Sequence, residues 1–474
     1  MSWRSTARSW ASSHRTHGGP SARLPMLALC AAAALTACAT TPKPDLRRLY
    51  QTANIAREQP PLILIPGIMG SQLRNRMTHR VVWPGSIWNL LFNRFSVLSL
   101  DINPDTLTGS PGELEAFDVT NAAAGHRFYQ NIVNTLVQYG DYRVTRAGTP
   151  VTDPIERRLY LFPYDWRLDN VETARRLAAF IEQLRRDYGQ PDLKVDIVAH
   201  SMGGIVSRYL LDFGTEDILD RDDAQVTMAG ASMINRLVLL GTPSLGSANT
   251  VRVMIKGEKI VQTIAPEVLA TLPSTYQLLP NTERKPLVGI DSRPLRVSEQ
   301  DATSSERDLF DPATWRDLQW SVFDPKVALR IGPQHSEMLQ RYFAKYLQRA
   351  GRMQKALRQP QPPSSTRLVV FGADCILTPA RVLVEYVDGR AIPRFKAEQI
   401  QHPQTGRQYD ELLREPGDGL VLKASLLGRQ SLDPTVQGQD GFPIAFSFFL
   451  CAEHSDIPSN INFQDNLLNA LLSR

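Results

Sequence analysis

An α/β fold built on a mostly parallel sheet is what this sequence predicts, and three features predict it. Apolar runs of strand length recur at 61–65, 158–162, 193–198, 234–240, 367–372 and 443–450. Between several of them apolar residues fall at helical spacing, as Ala174, Leu177, Ile181 and Leu184 do. Strands that alternate with helices imply a parallel sheet. The third feature is the stretch Val195-Asp196-Ile197-Val198-Ala199-His200-Ser201-Met202-Gly203-Gly204, an apolar run that stops abruptly at small residues around a serine.

That stretch organises the rest. Residues 205–211 continue with helical character, so Ser201 sits on a strand, sharp turn and helix. This is the nucleophile elbow of an α/β-hydrolase fold, with helical cap or lid insertions expected around it. The turn strains the serine backbone, so Ala199 and Gly203 must be small for strand and helix to approach. The following helix aims its first N–H groups at the site, which suits a developing oxyanion. The bland alternative is an ordinary strand-to-helix turn that happens to hold a serine. Upstream, the run 61–65 leads into Pro66-Gly67-Ile68-Met69-Gly70-Ser71. In this fold one oxyanion N–H comes from such a loop and the other from the residue after the nucleophile, which assigns Ile68 and Met202. The same loop could be no more than a tight turn.

Composition sets the outer bounds. A hydrophobic fraction of 42% and a charged fraction of 21% are those of a globular protein. The formal charge of +5 overstates the balance, because Arg4, Arg8, Arg15 and Arg23 precede any acidic residue. Without them 49 basic residues face 48 acidic ones, and nothing points to nucleic acid. Residues 1–37 read as a signal peptide, with an apolar core from Leu24 to Leu35 too short to span a membrane. They end Leu35-Thr36-Ala37-Cys38, which resembles the lipobox of bacterial lipoproteins. By that resemblance Cys38 becomes the lipidated first residue, and Ala39 after it favours the outer membrane of a Gram-negative envelope. A plain secretory signal with an incidental Cys38 is the alternative. Residues 38–59 form a polar tether, and 60–474 the hydrolase domain, with cap insertions at about 75–120 and 248–363. Cys375 and Cys451 each follow a core strand in an export compartment, so a disulfide between them is expected, two buried thiols being the alternative. Their spacing fits no metal site.

In chain order, Val81-Val82-Trp83-Pro84 and Ile87-Trp88-Asn89-Leu90-Leu91-Phe92 are dense in aromatics and suit either a membrane- or substrate-facing cap or a small satellite core. Residues 128–139 read as an amphipathic helix, and 171–188 as another, capped by Asp169 or Asn170. Residues 248–275 mix apolar, small and charged residues as a mobile lid would. A long helix is expected over 335–356, with Met338, Leu339, Tyr342, Phe343, Tyr346 and Leu347 on one face. Asp388-Gly389 marks a hairpin, and a helix from Leu420 to Leu427 precedes the last strand.

The partners of the nucleophile follow it in the order acid, then histidine. Beyond the elbow itself, the histidines available are His335, His402 and His454. His335 opens a cap helix and His402 lies in a polar hairpin region, whereas His454 follows the last core strand. Imidazole titrates near neutrality and can take and return the serine proton. Asp418, between Gly417 and Gly419, is the preferred acid, and Asp374 is its rival.

With these segments assembled, the chain resembles the lecithin:cholesterol acyltransferase family, which includes phospholipid:diacylglycerol acyltransferases and lysosomal phospholipase A2. The pieces that carry the resemblance are Leu64-Ile65-Pro66-Gly67-Ile68-Met69-Gly70-Ser71-Gln72-Leu73, Pro163-Tyr164-Asp165-Trp166-Arg167-Leu168, the elbow, Leu240-Gly241-Thr242-Pro243-Ser244-Leu245-Gly246-Ser247, Gly417-Asp418-Gly419 and His454. The resemblance implies a triad of Ser201, Asp418 and His454, oxyanion donors at Ile68 and Met202, a lid near 248–272 and a membrane-binding region near Trp83 to Phe95. The elbow's Ala199 in place of glycine and the lack of paired cysteines in the membrane-binding region depart from the family pattern. The implied function is a serine acyl-enzyme on lipid esters, an O-acyltransferase or phospholipase, with no metal or organic cofactor. A carboxylesterase on soluble esters and a catalytically silent lipid-binding lipoprotein remain open beside it.

Overall fold

The computed structural model describes residues 43–52, 59–84, 95–120, 128–221, 223–260, 262–298, 301, 303–433, 435 and 441–473. Cys38, the leader and the 87–92 aromatic run lie outside the described residues. Seven strands form the central sheet: β1 (Leu62–Ile65), β2 (Arg143–Thr145), β3 (Arg158–Leu161), β4 (Val195–His200), β5 (Ile234–Leu240), β6 (Arg367–Ala373) and β7 (Phe446–Leu450). Their order is β7-β6-β5-β4-β1-β3-β2, and every neighbouring pair is parallel. β4, the strand that runs into Ser201, is therefore central, and all six of its residues are buried.

The alternation of side chains along each strand sorts the core into two layers. Ile63, Ile65, Ile197, Ala199, Leu237 and Leu239 face one side of the sheet. Helices α2 (Asn170–Tyr188) and α3 (Met202–Phe213) cover that side through residues such as Leu177, Ile181, Ile205 and Leu210. Leu62, Leu64, Val198, Val238, Leu240 and Phe371 face the other, under α1 (Phe128–Tyr139) and α6 (Ile461–Leu472), which contribute Ile132, Leu136, Phe463 and Leu467. The apolar spacing read in 171–188 is this buried stripe, and Asp169 caps the helix by accepting from Val171 N at 2.9 Å. β2 escapes the sequence reading because three residues at a sheet edge carry too little periodicity.

The described residues of the insertions are packed structure. After β1, Ser71–Asn75, Val81–Trp83 and Leu114–Val119 make a small antiparallel sheet. The sequence suits Trp83 to a membrane- or substrate-facing cap or to a small satellite core; it belongs instead to the main core, buried edge-on against Trp166 and Phe95 at ring separations of 5.5 and 5.8 Å. Between β5 and β6, helix α4 (Ala248–Lys256) and helix α5 (Pro333–Ala356) surround a third apolar cluster that includes Trp315, Tyr276, Tyr342 and Phe343. Leu339, Tyr342, Phe343, Tyr346 and Leu347 of the predicted stripe are buried there. The hairpin at Asp388-Gly389 joins Val382–Val387 to Arg390–Arg394, and both turn residues have positive φ, 49° and 75°. The helix predicted over 420–427 shrinks to Lys423–Leu426, because Leu420 and Val421 are drawn into the turn that holds Asp418.

Candidate active site

The site lies at the carboxyl ends of β1, β4, β5 and β7, where loops leave a parallel sheet. At the end of β4 Ser201 takes φ 50° and ψ −121°, a region costly to a non-glycine residue by about 1–3 kcal/mol. The structure holds it there from both sides. Its N–H donates to the Leu240 carbonyl at 2.8 Å, and its carbonyl accepts from Gly204 N at 2.9 Å. A Cβ at Gly203 would come within 2.6 Å of the Pro66 carbonyl oxygen, and one at Gly204 would strike the Thr242 side chain. Both glycines therefore let helix α3 begin hard against β1 and the β5 loop. Met202 is the first residue of that helix, where backbone N–H groups lack intrahelical partners.

The loop after β1 closes over the same point. A Cβ on Gly67 would lie 2.9 Å from the Ser201 Cβ, so Ile68 follows the residue that touches the serine. Among the described residues the Ile68 N–H meets no hydrogen-bond acceptor, as an oxyanion donor requires. The rest of the loop is fastened. The Tyr164 hydroxyl donates to Pro66 O at 2.9 Å, Trp83 Nε1 to Met69 O at 2.9 Å, and Trp166 Nε1 to Ser71 O at 3.1 Å. This explains the Pro-Tyr-Asp-Trp-Arg-Leu hexamer: two of its aromatics hold the loop. Its Arg167, wholly buried, is bonded to Asp165 at 2.9 and 2.7 Å and to Pro111 O at 3.0 Å.

His454 and Asp418 meet as a pair. His454 Nδ1 lies 2.7 Å from Asp418 Oδ2, and the His454 N–H donates to the Asp418 carbonyl at 2.8 Å. The other carboxylate oxygen accepts from Leu420 N at 3.0 Å and Val421 N at 2.7 Å, so the carboxyl plane is fixed. Asp418 is fully buried at the end of the strand Arg414–Gly417, which pairs with Ile376–Pro379. The rival Asp374 points elsewhere, bonded to Lys423 Nζ at 2.6 Å. His335 and His402 are exposed and take no part. A disulfide joins Cys375 to Cys451, tying the loop after β6 to the loop that carries His454. Gly241, at φ 59°, ends β5 where a Cβ would lie 2.8 Å from the His454 ring, so the imidazole rests on bare backbone.

Ser201 and His454 line one cavity of about 240 Å³, walled by Ile68, Met69, Val253, Leu269, Leu278 and Leu420 and marked by a single carboxylate, Glu258. Burial raises the Glu258 carboxyl above its ordinary range, while Arg252 at 3.0 Å opposes that shift. His200, beside the serine, is held well below the usual imidazole range by burial and by the neighbouring His454, whose ring is 5.0 Å away.

Residues 113–310 match the family model of lecithin:cholesterol acyltransferase. Over those residues the chain is similar to the lecithin:cholesterol acyltransferase family. Within it, the lysosomal phospholipase A and acyltransferase of Canis lupus familiaris is 26% identical over 247 residues, 44% of this chain and 53% of that protein. The phosphatidylcholine-sterol acyltransferase of Oryctolagus cuniculus is 27% identical over 256 residues, 46% of this chain and 49% of its own length. The match thus spans about half the length of these curated relatives. A chain of the Tle4-Tli4 complex shares the fold at a TM-score of 0.53 and 14% identity, covering 87% of this chain and 98% of that one. The family match contains Ser201 and the hexamer but neither Asp418 nor His454, so those two rest on geometry.

Sequence reasoning gave Tyr129 no part in the site, and it quoted Trp83 and Gly241 without the contacts they make there. Only Gly241 left a signal, as a glycine directly after a core strand.

Proposed function

We propose that this protein is a serine acyl-enzyme that cleaves lipid esters and passes the acyl group to water or to a hydroxyl acceptor. The observation that carries the reading is Ser201 and His454 on one apolar cavity, with Asp418 bonded to His454 Nδ1. With Nδ1–H given to Asp418, the His454 Nε2 lone pair serves as the base. Ser201 Oγ attacks the ester carbonyl as its proton passes to Nε2, and the oxyanion falls to the Ile68 and Met202 N–H groups. His454 then protonates the departing alcohol, and the second half-reaction repeats these steps with the acceptor hydroxyl. The relatives' names, a phospholipase A and acyltransferase and a phosphatidylcholine-sterol acyltransferase, support a phospholipid as acyl donor. Residues 248–272 supply Val253 and Leu269 to the cavity wall and are proposed as its lid.

The test is incubation with labelled phosphatidylcholine vesicles, with and without sterol or diacylglycerol, against Ser201→Ala. Fatty acid release or acylated acceptor above the Ser201→Ala background is expected. Turnover of soluble esters alone, with no rise at vesicle surfaces, identifies a carboxylesterase instead. Failure of a fluorophosphonate to label the wild type, with lipid binding unchanged in Ser201→Ala, identifies a silent lipid-binding protein.

We further propose that the enzyme is lipid-anchored at Cys38 in the cell envelope, on the outer membrane. The basic leader, the apolar Leu24 to Leu35 run and Leu35-Thr36-Ala37-Cys38 support this reading. Two or more acyl chains on one residue hold stably where a single chain does not. Metabolic labelling with radioactive palmitate is expected to mark the wild type and not Cys38→Ala; equal labelling of both refutes the anchor.

A further inference from the structure

The loop that presents Ile68 is bonded at one more point, from the far side of the sheet. Tyr129, in the first turn of α1, places its buried hydroxyl 2.7 Å from the Gly67 N–H, which donates to it. The same hydroxyl lies 2.8 Å from His200 Nδ1. One oxygen therefore joins the residue before Ile68 to the residue before Ser201. Those two residues carry, one step further along, the nucleophile and the first oxyanion donor, and Met202 follows directly after Ser201.

The hydroxyl accepts from the Gly67 N–H, and its bond to His200 Nδ1 runs in whichever direction the imidazole tautomer dictates. The imidazole is neutral in either case, because burial and the neighbouring His454 hold it well below its usual range. The fit around the bridge is close. A Cβ at Gly70 would lie 2.6 Å from the Tyr129 hydroxyl, and one at Gly67 would lie 3.0 Å from His200 Nδ1. Neither strand end can move toward the other, and the hydroxyl resists their moving apart.

We propose that Tyr129 is a positioning residue for the oxyanion hole: its hydroxyl sets the distance between the Ile68 loop and the Ser201 turn. It touches no substrate atom and acts through Gly67 and His200. The inference rests on the acyl-enzyme reading above. Removing the hydroxyl leaves the Gly67 N–H buried without its acceptor, and the loop shifts to satisfy it. A misplacement of about 1 Å at a catalytic group can cost on the order of 100-fold in rate. Losing one oxyanion donor outright costs about 100- to 1,000-fold.

The experiment measures kcat and KM on a soluble p-nitrophenyl ester for wild type, Tyr129→Phe and Tyr50→Phe. Tyr50 is the control, because its hydroxyl bonds to Asp465 at 2.8 Å and touches neither loop. Affinity for a trifluoromethyl ketone, which forms a tetrahedral adduct, is measured beside affinity for a non-reactive ether analogue. Tyr129→Phe is expected to lower kcat about 10- to 100-fold, leave KM within about twofold and weaken the ketone by the same factor as kcat. Ether binding and the Tyr50→Phe kinetics are expected to stay at wild-type values. A Tyr129→Phe protein that loses stability but keeps wild-type kcat and ketone affinity overturns the proposal, since a merely structural tyrosine behaves so. Should Tyr129→Phe not fold, His200→Phe cuts the other end of the bridge, and the same split between ketone and ether decides. A wild type that neither turns over ester nor reacts with a fluorophosphonate defeats the acyl-enzyme reading itself, a result distinct from an active wild type matched by its variant.

Discussion

Ser201→Ala is expected to lower kcat by on the order of 10⁶-fold while the protein stays folded. The scaffold around the residue depends on atoms that alanine keeps. The Ser201 N–H bond to Leu240 and the carbonyl bond from Gly204 are backbone bonds, and Gly67 packs against the Cβ. The substitution therefore removes a hydroxyl and nothing that holds the turn. His454→Ala is expected to cost a similar factor, and the double variant no more than either alone, because nucleophile and base act in one step. Steady-state turnover on vesicles and on a soluble ester, with unfolding midpoints as the control, measures all three. Retention of more than about one per cent of activity in Ser201→Ala would mean that another group attacks the ester. Additive losses in the double variant would mean that His454 works on something other than the serine proton.

Much of this arrangement could be read from the sequence, and the parts that could not share a physical cause. β1, β4 and β5 are covered on both faces, so their apolar runs are continuous and hard to mistake. The elbow announces itself because a strained serine needs small residues at fixed offsets, and 199, 203 and 204 supply them. Tyr129 had no such signature. It sits on an amphipathic helix, where an aromatic in the apolar stripe reads as core, and what sets it apart is a hydroxyl aimed at a backbone N–H 62 residues earlier. Trp83 misleads in the opposite way. In a run of exposed-looking aromatics its indole suggests an interface, yet its Nε1 finds the Met69 carbonyl and its ring finds Trp166. Partners so distant in sequence leave no local pattern. The assignment of Asp418 over Asp374 stood between these cases, since both follow the β6 strand and local chemistry suits either.

Asp418→Asn is expected to lower kcat by about 10⁴-fold, and Asp374→Asn to leave it near the wild-type value. The asparagine oxygen can still accept from the Leu420 and Val421 N–H groups, so the turn that places the side chain survives. The group then facing His454 Nδ1 is an amide NH₂, which donates where the carboxylate accepted. Imidazole answers by carrying its proton on Nε2, and the nitrogen needed as base is blocked. The carboxylate that stabilised the imidazolium is lost in the same change. Asp374, by contrast, holds Lys423 in a half-exposed pair, a contact worth no more than about 1 kcal/mol and not connected to the imidazole. Turnover of the two variants across pH separates the readings. With the tautomer inverted, Asp418→Asn should regain rate only at high pH, where hydroxide can take the serine proton without His454. A loss confined to Asp374→Asn would move the acid to the loop after β6 and leave the 2.7 Å contact on His454 as packing alone.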